Sequence, residues 1–120
     1  VQGTIGPATA GYLARAIGEA AGQQAECLII ELDTPGGLLD STKEIIQSFL
    51  RSPVPIVVYV SPQGAWAGSA GCFITMAADV AVMAPSTSIG AAHPVGIGAG
   101  SEKQDEVMKQ KLENFACSYL

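Results

Sequence analysis

The chain has 120 residues, of which 48% are hydrophobic and 14% charged, enough apolar material for one domain with its own core and too much for a disordered segment. A formal charge of −5 with only six Lys and Arg argues against nucleic acid and against acidic substrates, because phosphate binding needs clustered cations. No uninterrupted apolar stretch reaches the length that crosses a bilayer, and Asp79 breaks the longest candidate.

Taken in order, the residues alternate between strand and helix patterns. Val1 to Ile5 fits the end of a strand, and Pro7 after Gly6 fits a first helical position. Ala8 to Ala21 carries Leu13, Ile17 and Ala20 or Ala21 at helical spacing, the pattern of a surface helix. Cys27 to Leu32 is a nearly continuous apolar run, as expected of a parallel strand covered on both faces. It delivers Asp33-Thr34-Pro35-Gly36-Gly37. Ser41 and Glu44 then fit a capping box for a helix running to about residue 52, with Leu39, Ile45, Ile46, Phe49 and Leu50 as its buried face.

Ser52-Pro53 stops that helix, and Ile56 to Val60 is strongly β-patterned. A Gly- and Ala-rich stretch, Gly64 to Gly71, leads into the apolar helical run Cys72 to Ala78. Val80 to Met83 is a further strand, and Pro85 to Gly90 a short strand or turn. The β-α-β-α-β-α-β order predicts a mainly parallel sheet with right-handed crossovers. Gly96 to Asp105 turns to Gly, Ser and charge, as in a mobile loop. Glu106 to Leu120 places Met108, Leu112, Phe115 and Tyr119 at helical spacing, and because the chain stops inside this amphipathic pattern the domain is expected to continue. Cys27, Cys72 and Cys117 lack metal spacing and any close pairing, so they fit buried small hydrophobes. With no metal cluster and no phosphate loop, no cofactor is expected.

Chemistry concentrates on Ser69. It lies at a strand-to-helix junction among residues too small to cover its hydroxyl, where the unpaired N–H groups and positive dipole end of the helix favour an oxyanion. The same position also fits a plain N-terminal helix cap. A serine nucleophile needs a base. His93, the only histidine, has a suitable ordinary pKa. Lys111 lies about 60° from Met108 around the last helix at about 100° per residue, and Lys109 flanks the other side, so periodicity does not choose between the lysines. A lysine base must be buried and unpaired, its pKa brought from about 10.4 toward 7, which costs roughly 4 to 5 kcal/mol.

Asp33-Thr34-Pro35-Gly36-Gly37, then Gly64 with Ala67-Gly68-Ser69-Ala70-Gly71, then Met83-Ala84-Pro85 with Ser88-Ile89-Gly90-Ala91-Ala92-His93-Pro94, resemble the N-terminal protease domain of the NfeD family. These are membrane-anchored serine peptidases found beside stomatin-like proteins, similar in fold to the Clp protease subunit and signal peptide peptidase A. The resemblance covers essentially the whole chain. It implies an α/β fold of the Clp protease and crotonase type, a spiral of β-α-β units with a mainly parallel sheet, and one domain over residues 1–120, incomplete at its C-terminus.

The resemblance further implies a Ser-Lys dyad. Ser69 falls on the family serine, and Lys111, in Lys111-Leu112-Glu113-Asn114-Phe115, on the family lysine. The oxyanion hole would use N–H groups of Gly37, Gly36 and Ala70. His93 falls near the catalytic histidine of the Clp subunit, which leaves a Ser-His arrangement as the alternative. Substrates would be hydrophobic segments such as the C-terminal region of a stomatin-like partner, with Trp66 and Phe73 lining a groove for the extended peptide. Apolar sheet edges suggest a homodimer. Membrane anchoring would come from parts outside this chain, with the domain extracytoplasmic. Two other readings share the fold: a non-catalytic module that docks membrane-protein tails, and an acyl-CoA enzyme of the crotonase type, whose basic CoA surface and acidic catalytic pair are not found here.

Overall fold

The structure, a computed structural model, describes residues 1–90. In chain order its elements are α1 (Pro7–Gly22), β1 (Leu28–Leu32), α2 (Leu39–Arg51), β2 (Ile56–Val60), β3 (Trp66–Gly68), α3 (Ala70–Ala77), β4 (Val80–Met83) and β5 (Ser88–Gly90). The expected 96–105 loop, the 106–120 helix, His93, Lys109, Lys111 and Cys117 lie outside the described residues.

Three β-branched runs pair in the order β1-β2-β4, all parallel, with Ile30 opposite Val58 and Val58 opposite Ala81. A second parallel pair, β3 with β5, stands apart from that sheet. Side chains alternate across a strand, so one face of the main sheet collects Ile30, Leu32, Ile56, Val58 and Val60. These pack in one cluster with Leu13 and Ile17 of α1, Ile45 and Phe49 of α2 and Ile74 of α3. Each such side chain stabilises the fold by roughly 1.5 to 3 kcal/mol on burial. The expectation that β1 is covered on both faces does not hold. Ile29 is 60% exposed, and Val80 and Val82 of β4 are also exposed, so the described helices leave the second face open.

Helix α1 follows the sequence pattern closely. Pro7 sits in its first turn, and Ala10, Leu13, Ile17 and Ala20 form the buried stripe. Helix α2 departs from the expected capping box. Its N-cap is Leu38, without a side-chain cap, and Ser41 lies inside the helix, buried at 4% exposure. The reason is upstream: the Leu38 N–H donates to Ile5 O at 2.9 Å, which brings the chain into helix earlier. Thr42 then donates to Leu38 O through both its N–H (3.1 Å) and its hydroxyl (2.8 Å). Leu39 and Leu50, expected on the buried face, are exposed, leaving Ile45, Ile46 and Phe49 as its apolar part.

The first residues make two isolated parallel bridges rather than a strand, Gln2 with Asp33 and Ile5 with Gly37, with Gly3 at φ 87° between them. Cys27 is exposed and Cys72 half-buried, so neither is the fully buried hydrophobe expected; Cys27 lies in the turn before β1 rather than inside it. No helix among the described residues is long and apolar enough to cross a membrane.

Asp79, whose charge interrupts the apolar run, closes the entry to β4. Its Oδ2 accepts the Ile56 N–H at 2.7 Å and its own N–H donates to Ile56 O at 2.9 Å. Only the first bond needs the carboxylate. Asp79→Ala is expected to lower stability by about 1.5 kcal/mol, seen as a lower urea midpoint with an unchanged slope.

Candidate active site

Ser69 is the single residue between β3 and α3. The chain must reverse direction there within one residue, and Ser69 does so at φ 50°, ψ −112°, the left-handed side of the map that a residue with a β-carbon rarely adopts. The serine of a nucleophile elbow is held in the same way, on a strained strand-to-helix turn that thrusts its hydroxyl outward. Ser69 occupies the N-cap position, yet its side chain makes no capping hydrogen bond. The strand preceding it is β3, not β2 as the sequence pattern suggested. Three residues of mostly small side chain were too short a signal to be read as a strand.

Two peptide groups pin the elbow. The Ser69 N–H donates to Gly90 O of β5 at 3.2 Å, and the Cys72 N–H donates to Ser69 O at 3.0 Å. The Ser69 N–H is therefore used in pairing with β5. The next N–H along, of Ala70, opens helix α3 and has no intrahelical acceptor, so it remains at the positive end of the helix dipole.

The Asp33–Gly37 turn meets this elbow. A β-carbon placed on Gly36 would lie 2.8 Å from Ser69 Cβ and 3.3 Å from both Ser69 Oγ and the Ala70 nitrogen. Gly36 also has φ 122°, so both space and backbone require glycine there. A β-carbon placed on Gly37 would collide with the backbone of Ile5, the residue it bridges. In that parallel bridge the groups bonded to Ile5 are Gly36 O, which accepts its N–H at 2.9 Å, and the Leu38 N–H. The Gly37 N–H is left out of the ladder, on an exposed residue.

The structure thus brings together Ser69, Gly36, Gly37 and Ala70. Trp66, three residues before Ser69, and Phe73, four residues after it, are both half-buried. The indole of Trp66 fills the space beside Gly68, and Phe73 lies about one helical turn beyond Ser69. Asp33, read from sequence only as part of a motif, anchors this assembly: its Oδ1 accepts the Trp66 N–H at 3.1 Å and so ties β3 to the end of β1. Thr34, also undistinguished in sequence, bridges to Ala67 and bonds the turn internally. Among the described residues no group of three or more His, Cys, Asp or Glu could hold a metal ion. Burial raises the pKa of the Cys72 thiol, three residues after Ser69, which disfavours its thiolate.

Stacked parallel β-α units with a serine at a helix tip define a Clp-like α/β protein. ClpP1 of Listeria monocytogenes shares the fold at a TM-score of 0.71 over 98% of this chain and 68% of that one, at 18% identity. Residues 1–118 match the family described as NfeD1b, N-terminal domain, and the chain belongs to that family. It is 38% identical over 120 residues to membrane-bound protease PH1510 of Pyrococcus horikoshii, covering all of this chain and 27% of that protein. The chain therefore spans about a quarter of that relative's length. Among solved structures it is similar to two variants of the 1510-N membrane-bound stomatin-specific protease. A serine-to-alanine variant gives a TM-score of 0.77 at 40% identity, over 83% of this chain and 49% of that one. A lysine-to-alanine variant in complex with a substrate peptide gives 0.76 at 41% identity, over 84% and 47%.

Two outcomes follow from this geometry. Gly36→Ala forces its β-carbon into Ser69 and adds backbone strain of about 1 kcal/mol or more, so the variant is expected to unfold at lower temperature and to lose any Ser69-dependent activity. Alkylation of Cys72 by iodoacetamide at pH 8 is expected to run slower than that of Cys27 in the folded chain. Its rate should still be climbing above the pH at which an ordinary thiol has levelled off, as mapped by peptide mass spectrometry.

Proposed function

We propose that this chain is the catalytic domain of a serine endopeptidase that cleaves hydrophobic peptide segments. The observation that carries the reading is Ser69 itself: a strained, uncapped serine at the start of a helix, facing Gly36 of a glycine turn and the Ala70 nitrogen. A residue that merely capped α3 would make the cap bond and would need no left-handed backbone. The protease names and the serine and lysine variants of the relatives support the same chemistry.

In this mechanism neutral Lys111 takes the Ser69 proton as Oγ bonds to the scissile carbonyl carbon. The carbonyl oxygen becomes an oxyanion held by the Ala70 and Gly37 N–H groups, each worth on the order of 3 kcal/mol to the transition state. The proton passes to the leaving amine, the C–N bond breaks, and an acyl-Ser69 ester remains. Water, deprotonated by Lys111, attacks the ester and releases the acid, returning the proton to Ser69. Trp66 and Phe73 border the groove in which an extended apolar peptide lies along β3.

A stomatin-like membrane protein, cut in its apolar C-terminal region, is the substrate that fits, since relatives are named for stomatin specificity. The domain works as a homodimer on the extracytoplasmic side of a membrane, anchored through parts outside this chain. The test is cleavage of an apolar peptide by single variants. Ser69→Ala and Lys111→Ala are each expected to lower kcat by about 1,000-fold or more, with His93→Ala within a few-fold of the parent. Full activity in Ser69→Ala would end the peptidase reading. Activity kept in Lys111→Ala and lost in His93→Ala would move the base to His93.

A further inference from the structure

The sequence leaves two N–H groups of the Pro35-Gly36-Gly37 turn as candidate oxyanion donors, and the structure distinguishes them. The Gly36 N–H is already engaged: it donates to Thr34 Oγ1 at 3.1 Å, and the Thr34 hydroxyl lies 3.2 Å from Gly36 O, positioned to donate in return. Gly36 O also accepts the Ile5 N–H. Both polar groups of Gly36 are thus turned inward, and of the two glycines it is Gly37 whose N–H has no partner among the described residues.

Thr34 is 1% exposed and is bonded in every direction it offers. Its N–H donates to Trp66 O at 2.7 Å and its carbonyl accepts the Gly68 N–H at 2.9 Å, which fixes β3 just ahead of Ser69. Its methyl group fills the space beside Gly71 in the first turn of α3; a β-carbon there would lie 2.6 Å from Thr34 Cγ2. One residue therefore ties together the glycine turn through its hydroxyl, the strand before Ser69 through its backbone and the helix after it through its methyl group. A hydroxyl that both accepts and donates is needed to hold both polar groups of one glycine.

We propose that Thr34 is a positioning residue for the oxyanion hole: its hydroxyl holds Gly36 inward and thereby presents the Gly37 N–H, with that of Ala70, to the acyl oxygen. This rests on the peptidase reading above. Thr34→Val keeps the volume and the methyl contact but removes both hydrogen bonds, freeing the turn to rotate. Thr34→Ser keeps the hydroxyl and removes the methyl.

The experiment combines turnover of an apolar peptide with amide hydrogen exchange by NMR, on the full chain and with thermal melts to verify folding. Thr34→Val is expected to lower kcat by about 10- to 100-fold with KM within about 2-fold, while Thr34→Ser stays within about 3-fold of the parent in both. The Gly36 amide should exchange slowly in the parent and in Thr34→Ser, about 10-fold or more faster in Thr34→Val, and the Gly37 amide quickly throughout. Parental kcat in a folded Thr34→Val, or a Thr34→Ser as slow as Thr34→Val, would overturn the assignment. So would a parental Gly36 amide that exchanges as fast as that of Gly37, even with Ser69-dependent hydrolysis intact. Hydrolysis that survives Ser69→Ala removes the peptidase reading instead, and the two failures are thereby told apart.

Discussion

The contact between Gly36 and Ser69 is the constraint on which the rest of the structure depends. A serine at φ 50° is costly on its own, by about 1 to 3 kcal/mol, and persists only where its surroundings allow no alternative. Here the surroundings are unusually complete. Its N–H is held by Gly90, its carbonyl by the Cys72 N–H, and its β-carbon lies against a residue that has no side chain to displace it. The strain is carried by the backbone pairing of β3 with β5 and by the buried packing of Ala67, Ala70 and Ile74.

The main sheet acts at one remove. Its buried face fixes where the C-terminal end of β1 lies, and that end becomes the Asp33–Gly37 turn. From there short polar contacts take over from apolar packing: Asp33 to the Trp66 N–H, Thr34 to Gly36, Ile5 to Gly36 and Leu38. This division fits the proposed chemistry. Apolar burial is strong but non-directional, whereas an oxyanion site needs N–H groups aimed to within a few tenths of an ångström, which hydrogen bonds supply. Small residues matter for the same reason, since Gly68 makes room for the Trp66 indole and Gly71 for the Thr34 methyl group.

Much of this was legible in the residues. Strands β1, β2 and β4 and helix α1 carry strong periodic or β-branched signals and fall where those signals put them. Ser69 stood out because Gly and Ala cannot cover a hydroxyl. What stayed hidden is tertiary. Strand β3 is three residues long and becomes a strand only by pairing with β5 and bridging to Thr34. Ser41 has the spacing of a cap, but Ile5, distant in sequence, captures Leu38 and starts the helix earlier. The open face of the sheet was likewise unreadable, because an unbroken apolar run such as Cys27 to Ile30 looks the same whether one face or two are covered. The roles of Thr34 and Asp33 depend on bonds to Gly36 and Trp66 that no local pattern encodes.

In the proposed mechanism the folded chain arms the Ser69 hydroxyl as a nucleophile. Reaction of the folded chain with a fluorophosphonate, followed by peptide mass spectrometry, measures this directly, with urea-unfolded chain as the control. A single rapid adduct on Ser69 is expected, lost on unfolding, with exposed serines such as Ser86 and Ser88 unmodified. No adduct on Ser69, or labelling spread evenly over the exposed serines, would contradict it.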